Sequence, residues 1–176
     1  EFDLEKAFRA AKRHGVDGMV YYGALQCGVD KNAAVMQEEL MRIFQDISVS
    51  ETQMAEISRI TDAFEAQGIR HMPLKGALLK KMYPQSEMRR MGDVDILIDT
   101  AQYKTISEIM RNFGYTEKYE SDHELVWDNR PVNLELHKRL IPSYNKDYYK
   151  YFGDGWKLAK LKDGYTASYY MDPCDE

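Results

Sequence analysis

The pattern of hydrophobic positions along the chain changes its period near residue 68. Before that point, apolar residues recur every three or four positions, as on the buried face of an amphipathic helix. The pattern predicts several helices within residues 1–68, of which the first ends at Gly15 and the last ends at Gly68. Two overlapping capping boxes, Ser48-x-x-Glu51 and Ser50-x-x-Gln53, predict where the last of these helices begins.

After residue 68 the apolar segments become short and alternate with polar residues or are bounded by turn residues, which is typical of strands. Strands are predicted at 69–74, 93–99, 115–120, 123–128 and 131–137, with helices at 76–82 and 100–113. The order β-α-β-α-β-β-β predicts an α+β fold, in which a helical N-terminal region accompanies a small mixed sheet flanked by helices. We expect a helical region at 1–68, a core domain at 69–140 and a connecting segment at 141–176.

Length and composition place the chain among soluble globular proteins. Its 176 residues are enough for one domain or for one domain and a fragment of another, and 44% of them are hydrophobic and 30% charged. No apolar run has the length of a membrane span, so we expect no membrane partner and a cytoplasmic location. Two cysteines are too few for a disulfide framework. Because the chain begins at Glu1 without a methionine and ends abruptly at Glu176, we expect residues to be missing at both termini.

The net charge of −5 argues against a dedicated nucleic-acid-binding protein. The tyrosine-rich segment 141–176 could stack on bases, but packing of its rings onto the core is the favoured interpretation. Positive charge is concentrated around one acidic strand, at Lys75, Lys80, Lys81, Arg89 and Arg90. Of these, Lys80 and Lys81 are expected to be solvated surface charges, and Lys75 and Arg89 are expected to be functional.

The acidic strand contains two carboxylates two positions apart. Side chains alternate along a strand, so Asp93 and Asp95 point to one side, while Val94, Ile96 and Ile98 point to the other and can be buried. Because oxygen ligands suit Mg²⁺, this strand is a candidate metal platform.

Three further features strengthen this interpretation. The small-residue turn Gly76-Ala77, after one strand and at the start of a helix, would let backbone N–H groups approach a phosphate. Arg89 precedes the acidic pair by four residues. On the strand at 131–137, Asn133, Glu135 and His137 share one face, so Glu135 offers a third carboxylate. His137 and His123 are more typical of structural histidines.

Three carboxylates facing one cleft suit two-metal phosphoryl transfer. One ion would activate the attacking hydroxyl, and the other would hold the triphosphate and stabilise the leaving pyrophosphate. Without metal, the three negative charges would repel one another and raise at least one pKa. Such a cluster is therefore best explained as a metal site.

These segments carry a resemblance to a known family. The segments are Leu74-Lys75-Gly76, Tyr83-Pro84, Arg89-x-x-Gly92-Asp93-Val94-Asp95-Ile96-Leu97 and Leu134-Glu135-Leu136-His137. They resemble the uncharacterised bacterial nucleotidyltransferase family of the DNA polymerase beta superfamily. The run of Leu74-Lys75-Gly76, Arg89 and Asp93-x-Asp95 is also similar to abortive-infection type toxin nucleotidyltransferases. The resemblance implies a metal-bound nucleoside triphosphate such as ATP and transfer of a nucleoside monophosphate. By position, it implies that Gly76 belongs to the phosphate-binding turn, that Asp93 and Asp95 are metal ligands, and that Glu135 is the third acid.

Our leading hypothesis is an Mg²⁺-dependent nucleotidyltransferase that uses two ions. Asp93, Asp95 and Glu135 would be the catalytic and metal-binding residues, and Lys75, Gly76, Ala77 and Arg89 would bind the nucleotide. The acceptor of the nucleotidyl group stays open among a small molecule, a protein side chain and an RNA end.

Two other classes are weighed against this hypothesis. In the superfamily this turn usually reads Gly-Gly or Gly-Ser, and its replacement by Gly76-Ala77 motivates a catalytically degenerate nucleotide-binding or regulatory module. A sugar transferase with an Asp-x-Asp motif ranks last, because such an enzyme needs a large doubly wound half and too few strands precede Asp93.

Overall fold

The computed structural model describes residues 3–172, in which helices precede the strands as predicted. In chain order the helices are α1 Leu4–His14, α2 Asp17–Gln26, α3 Ala34–Ala66, α4 Gly76–Leu79, α5 Tyr103–Asn112 and α6 Lys146–Phe152. The strands are β1 His71–Pro73, β2 Val94–Ile98, β3 Thr116–Glu120, β4 Glu124–Asn129, β5 Val132–His137, β6 Lys160–Leu161 and β7 Tyr169–Tyr170. The chain divides into two compact units: residues up to Glu51 with Leu78–Met91, and Thr52–Ala77 with the chain from Gly92 onward.

The first unit contains α1, α2 and the first half of α3. Its core includes Phe8 of α1, Tyr21 of α2, and Met36 and Ile43 of α3. Met36 and Ile43 are seven residues apart and so lie on one face of their helix. Helix α1 ends at Gly15, whose φ of 65° is the left-handed conformation that glycine adopts without strain, so the predicted helix end is confirmed.

Helix α3 runs without interruption through the predicted capping boxes, so the prediction of a helix start at Ser48–Gln53 is wrong. Ser50 is buried inside the helix, and its hydroxyl accepts a hydrogen bond from the Lys80 ammonium at 3.0 Å. The same ammonium donates to the Arg89 carbonyl at 3.0 Å. The expectation that Lys80 is a solvated surface charge is therefore wrong as well. Burial lowers the pKa of Lys80.

The second unit is built on a five-stranded mixed sheet with the order β1-β2-β5-β4-β3. Strands β2 and β5 are parallel, and the other neighbours are antiparallel. Val94, Ile96 and Ile98 are buried and share one side of β2, as the alternation predicts. The α+β fold with a mixed sheet and accompanying helices is confirmed.

The chain after β5 packs over part of the opposite face of the sheet. Met72, Leu74, Leu97 and Met171 form a buried apolar cluster there, with Leu140, Trp156, Leu158, Ala159 and Tyr169 packed against it. The predicted packing of the tyrosine-rich segment is confirmed at Tyr169, whose ring lies 5.5 Å from that of Trp156. It is wrong at Tyr144, which is 78% exposed.

Among residues 3–172, no helix has the length and apolar character needed to cross a bilayer. Cys27 is an exposed free thiol, and Cys174 lies outside the described residues.

Two glycines of α2 make a matched test of packing in the first unit. A Cβ added at Gly18 would lie 2.4 Å from the Glu87 carbonyl oxygen, whereas a Cβ at Gly23 would meet nothing within 4 Å. We predict that Gly18→Ala lowers the free energy of unfolding by about 1–3 kcal/mol, because the backbone at Glu87 must move. Gly23→Ala should instead be neutral or stabilise by up to about 1 kcal/mol through helix propensity. Urea unfolding followed by circular dichroism measures both, and equal effects would contradict the packing argument.

Candidate metal centre

The parallel pairing of β2 with β5 brings acidic residues from distant parts of the chain together. In its register Asp95 lies opposite Glu135, and Leu97 lies opposite His137. Side chains two positions apart share a face, so all four project from the same side of the sheet. Each of Asp95, Glu135 and His137 offers one atom that could bind a metal ion, and these three atoms lie within 4.8 Å of one another. We call these three residues the acidic cluster.

The contacts within the acidic cluster centre on Asp95. His137 Nε2 lies 2.8 Å from Asp95 Oδ1 and 3.7 Å from Glu135 Oε2. The ammonium of Lys75 lies 3.8 Å from the same Asp95 oxygen. The Asp95 and His137 side chains are each 6% exposed, whereas that of Glu135 is 21% exposed. The cluster is therefore buried at Asp95 and opens toward solvent at Glu135.

The two carboxylates experience opposite electrostatic environments. Burial alone would raise the pKa of Asp95, but the hydrogen bond with His137 and the charge of Lys75 outweigh it, so this pKa is lowered. The pKa of Glu135 is raised by burial first, and then by the negative charges of Asp93, Glu124 and Asp95. At neutral pH, Asp95 thus has its compensating partners within the protein, and Glu135 is the carboxylate that a bound cation would relieve most.

The surroundings of Nδ1, the second ring nitrogen of His137, indicate which of the two nitrogens carries the proton. Nδ1 is buried, and it has no hydrogen-bond partner among the described residues. A proton on Nδ1 would leave a buried donor unpaired, which is costly. With the proton on Nε2, the ring donates to Asp95 Oδ1 and fixes the orientation of that carboxylate.

The donor set of the acidic cluster fits a divalent metal ion. Two carboxylates are hard oxygen ligands of the kind that Mg²⁺ and Mn²⁺ prefer, and an imidazole nitrogen is accepted by transition metals. The uncompensated charge of Glu135 also favours a cation at this position. Asp95 and Glu135 could hold such an ion, with His137 either orienting Asp95 or joining it as a ligand.

Of the residues predicted for the site, the structure brings Asp95, Glu135 and Lys75 together. Asp93 is half-buried just before β2 and, among the described residues, is not one of the three whose ligand atoms converge, although its charge acts on Glu135. Gly76 opens helix α4 directly after the chain leaves β1, and Ala77 is buried in that helix. Arg89 belongs to the first unit, and its role in nucleotide binding stays a prediction.

His137 is the residue of the acidic cluster that sequence reasoning underrated. It is a hydrogen-bonded, buried histidine, as expected for a structural residue, but its partner is the proposed metal ligand Asp95. The spacing Glu135-x-His137 placed it on the correct face of β5, and this was the available signal. His123, whose ring lies 6.2 Å from that of His137, pairs with Glu124 at 3.2 Å.

Comparison with known proteins identifies the class of the chain. A family model described as an uncharacterised nucleotidyltransferase matches residues 1–176, the whole chain. The protein therefore belongs to this nucleotidyltransferase family. Searches of curated proteins and of solved structures returned no match.

A substitution that removes the charge of Glu135 tests two effects of this carboxylate: its repulsion by the neighbouring negative charges and its binding of a metal ion. Because the folded state disfavours ionised Glu135, we predict that Glu135→Gln raises the melting temperature in the absence of metal at pH 7. In the wild type, Mg²⁺ or Mn²⁺ at about 100 times its Kd should stabilise by about 2.7 kcal/mol, and this gain should be lost in the variant. Thermal unfolding with and without metal measures both effects.

Glu108→Gln, on the exposed side of α5, serves as the control and should behave like the wild type. A metal-induced gain that survives in Glu135→Gln would contradict this assignment.

Two substitutions of His137 test its hydrogen bond to Asp95. Gln places an N–H donor near the position of Nε2, whereas Phe keeps a ring and removes the donor. We predict that His137→Phe lowers metal affinity by about 10–100-fold, the usual effect of losing a residue that orients a metal ligand. His137→Gln should retain most of the affinity. Mn²⁺ binding measured by electron paramagnetic resonance provides the comparison, and equal losses in both variants would argue that His137 acts as a metal ligand instead.

Proposed function

We propose that the protein is a metal-dependent nucleotidyltransferase that transfers a nucleoside monophosphate from a nucleoside triphosphate to an acceptor hydroxyl. One observation carries the proposal: Asp95 and Glu135 converge on adjacent parallel strands in a chain that belongs to a nucleotidyltransferase family. The buried, positively compensated Asp95 and the more open Glu135 form a site that a metal-bound triphosphate could approach.

In this proposal Asp93, Asp95 and Glu135 hold the metal, with Mg²⁺ as the ion that oxygen ligands favour and two ions as the expected number. A bound ion would offset the negative charge that develops on the phosphates and make the acceptor hydroxyl more acidic. Asp93 is included because it lies two residues from Asp95, directly before β2, and because its charge acts on Glu135.

The remaining residues bind and orient the nucleotide. Lys75, next to Asp95, would neutralise phosphate charge. Gly76 and Ala77, at the start of α4, would offer backbone N–H groups to the triphosphate.

The transfer itself requires little covalent chemistry from the protein. The acceptor oxygen forms a bond to the α-phosphorus as the bond from that phosphorus to the bridging oxygen breaks, and pyrophosphate leaves. Glu135, the most exposed member of the acidic cluster, would receive the hydroxyl proton. Catalysis then depends on positioning and on electrostatic stabilisation.

The decisive experiment is incubation with each labelled nucleoside triphosphate, Mg²⁺ or Mn²⁺, and a cell extract, followed by detection of labelled product and of pyrophosphate. We predict pyrophosphate release that falls by about 100-fold or more in Asp95→Asn and in Asp93→Ala, because each loses charge that stabilises the transition state. Circular dichroism should show that both variants stay folded.

Glu108→Gln should retain full activity in the same assay. A fully active Asp95→Asn protein would refute the proposal. Nucleotide binding measured by calorimetry, without pyrophosphate release with any acceptor, would instead support the degenerate nucleotide-binding module that the Gly76-Ala77 turn suggests.

A further inference from the structure

An apolar pocket adjoins the acidic cluster on the same side of the sheet. It has a volume of about 300 Å³, at the lower end of the range for small-molecule sites. Its lining consists of Leu74, Lys75, Leu140, Ile141, Tyr148, Phe152 and Met171.

The inner wall of the pocket is part of the core. Leu74 is 2% exposed and Met171 is 4% exposed, and both pack with Leu97. Leu140 is fixed from behind by Gly155, where an added Cβ would lie 2.6 Å from Leu140 Cγ. The inner wall of the pocket is therefore formed before any ligand binds.

Lys75 connects the pocket with the acidic cluster. Its ammonium lies 3.8 Å from Asp95 Oδ1, and its side chain also lines the pocket. Its φ is 31°, in the left-handed region that a residue with a Cβ rarely adopts. Such conformations cost energy and persist where the surrounding structure holds them. Here the conformation occurs where the chain passes from β1 to α4.

The chemistry of the lining indicates what the pocket can bind. Lys75 is the single charged residue among the seven, Tyr148 adds one hydroxyl, and the other five side chains are hydrocarbon, aromatic or thioether. A nucleobase would lose hydrogen bonds with water along its polar edge and would find few replacements here. An aliphatic or aromatic group loses none and gains from burial.

We propose that this pocket binds the apolar body of the acceptor, so that the acceptor is an alcohol or phenol whose hydroxyl is attached to an aliphatic or aromatic group. This inference rests on the proposed nucleotidyl transfer. The hydroxyl then lies at the Lys75 end of the pocket, where the ammonium complements the negative charge that develops on the attacking oxygen. The oxygen forms a bond to the α-phosphorus, pyrophosphate leaves with the electron pair of the broken bond, and the proton passes to Glu135.

The test uses 2-naphthol, a fluorescent phenol that combines an apolar body of two fused rings with a single hydroxyl. We expect it to bind the wild type in a one-to-one complex, with a change in its fluorescence. Tyr148→Asp should weaken this binding by about tenfold or more, equivalent to about 1.4 kcal/mol. Tyr148 is 59% exposed, so the variant should fold. Leu140→Asp, deeper in the lining, should have at least the same effect if circular dichroism shows it to be folded.

The matched control is Leu161→Asp, which changes an exposed leucine of the same unit outside the pocket lining. It should leave 2-naphthol binding unchanged. Absence of binding to the wild type, or binding that Tyr148→Asp does not weaken, would overturn the proposal.

A second measurement distinguishes the acceptor from the nucleotide. With Mg²⁺ present, a nucleoside triphosphate with a methylene group in place of its α,β-bridging oxygen, which cannot be cleaved there, should not displace 2-naphthol. With the ordinary triphosphate, mass spectrometry should detect naphthol joined to a nucleoside monophosphate. Competitive displacement by the triphosphate would show that the pocket holds the base, and would overturn the proposal while leaving nucleotidyl transfer intact. Conversely, pocket-dependent 2-naphthol binding together with pyrophosphate release that does not depend on Asp95 would refute the proposed function but not the pocket.

Discussion

The parallel pairing of β2 with β5 is the interaction on which the candidate site depends. It connects segments about forty residues apart in sequence and sets Asp95 beside Glu135, and Leu97 beside His137. A shift of this register by one residue would turn Asp95 or Glu135 to the opposite face, since side chains alternate along a strand. The pairing also concentrates negative charge on one face. The protein compensates this charge unevenly. Lys75 and His137 both contact Asp95. Among the described residues, the nearest group to Glu135 that can carry a positive charge is His137, at 3.7 Å.

The same face of the sheet has a second, apolar half. Leu97 follows Asp95 at the next position on this face and is completely buried against Leu74 and Met171. The chain after β5 packs on this half and leaves the acidic half open at Glu135. The apolar pocket lies beside the boundary between the acidic half and the apolar half of this face. Lys75 lies at that boundary, so its side chain contacts both the Asp95 carboxylate and the hydrocarbon lining of the pocket. A substrate that bridges the boundary would need both an apolar and a polar part.

Much of the fold was predictable from local patterns. Alternation assigned the faces of β2 and β5, and the change of period near residue 68 located the start of the sheet, because these patterns record which side chains are buried. The capping boxes failed, because a Ser inside a helix can bond to a distant side chain, as Ser50 does with Lys80. The contact of His137 with Asp95 could not be read from sequence either. It depends on a long-range parallel pairing, and no local motif specifies which strands become neighbours.

Family membership and geometry make separate contributions to the functional argument. The family model covers the whole chain and supports nucleotidyl transfer as the class of reaction, but it does not assign roles to individual residues. The geometry distinguishes two carboxylates that look equivalent in sequence: Asp95 is buried and hydrogen-bonded to a ring fixed in the core, whereas Glu135 is more exposed and less compensated. Because His137 and Lys75 already hold Asp95 in place, its orientation is set before any ligand arrives. Glu135 is more exposed and its charge is less compensated, so its side chain can reorient toward a cation or a substrate that binds. The site thus combines one preorganised carboxylate, Asp95, with one that can adjust, Glu135.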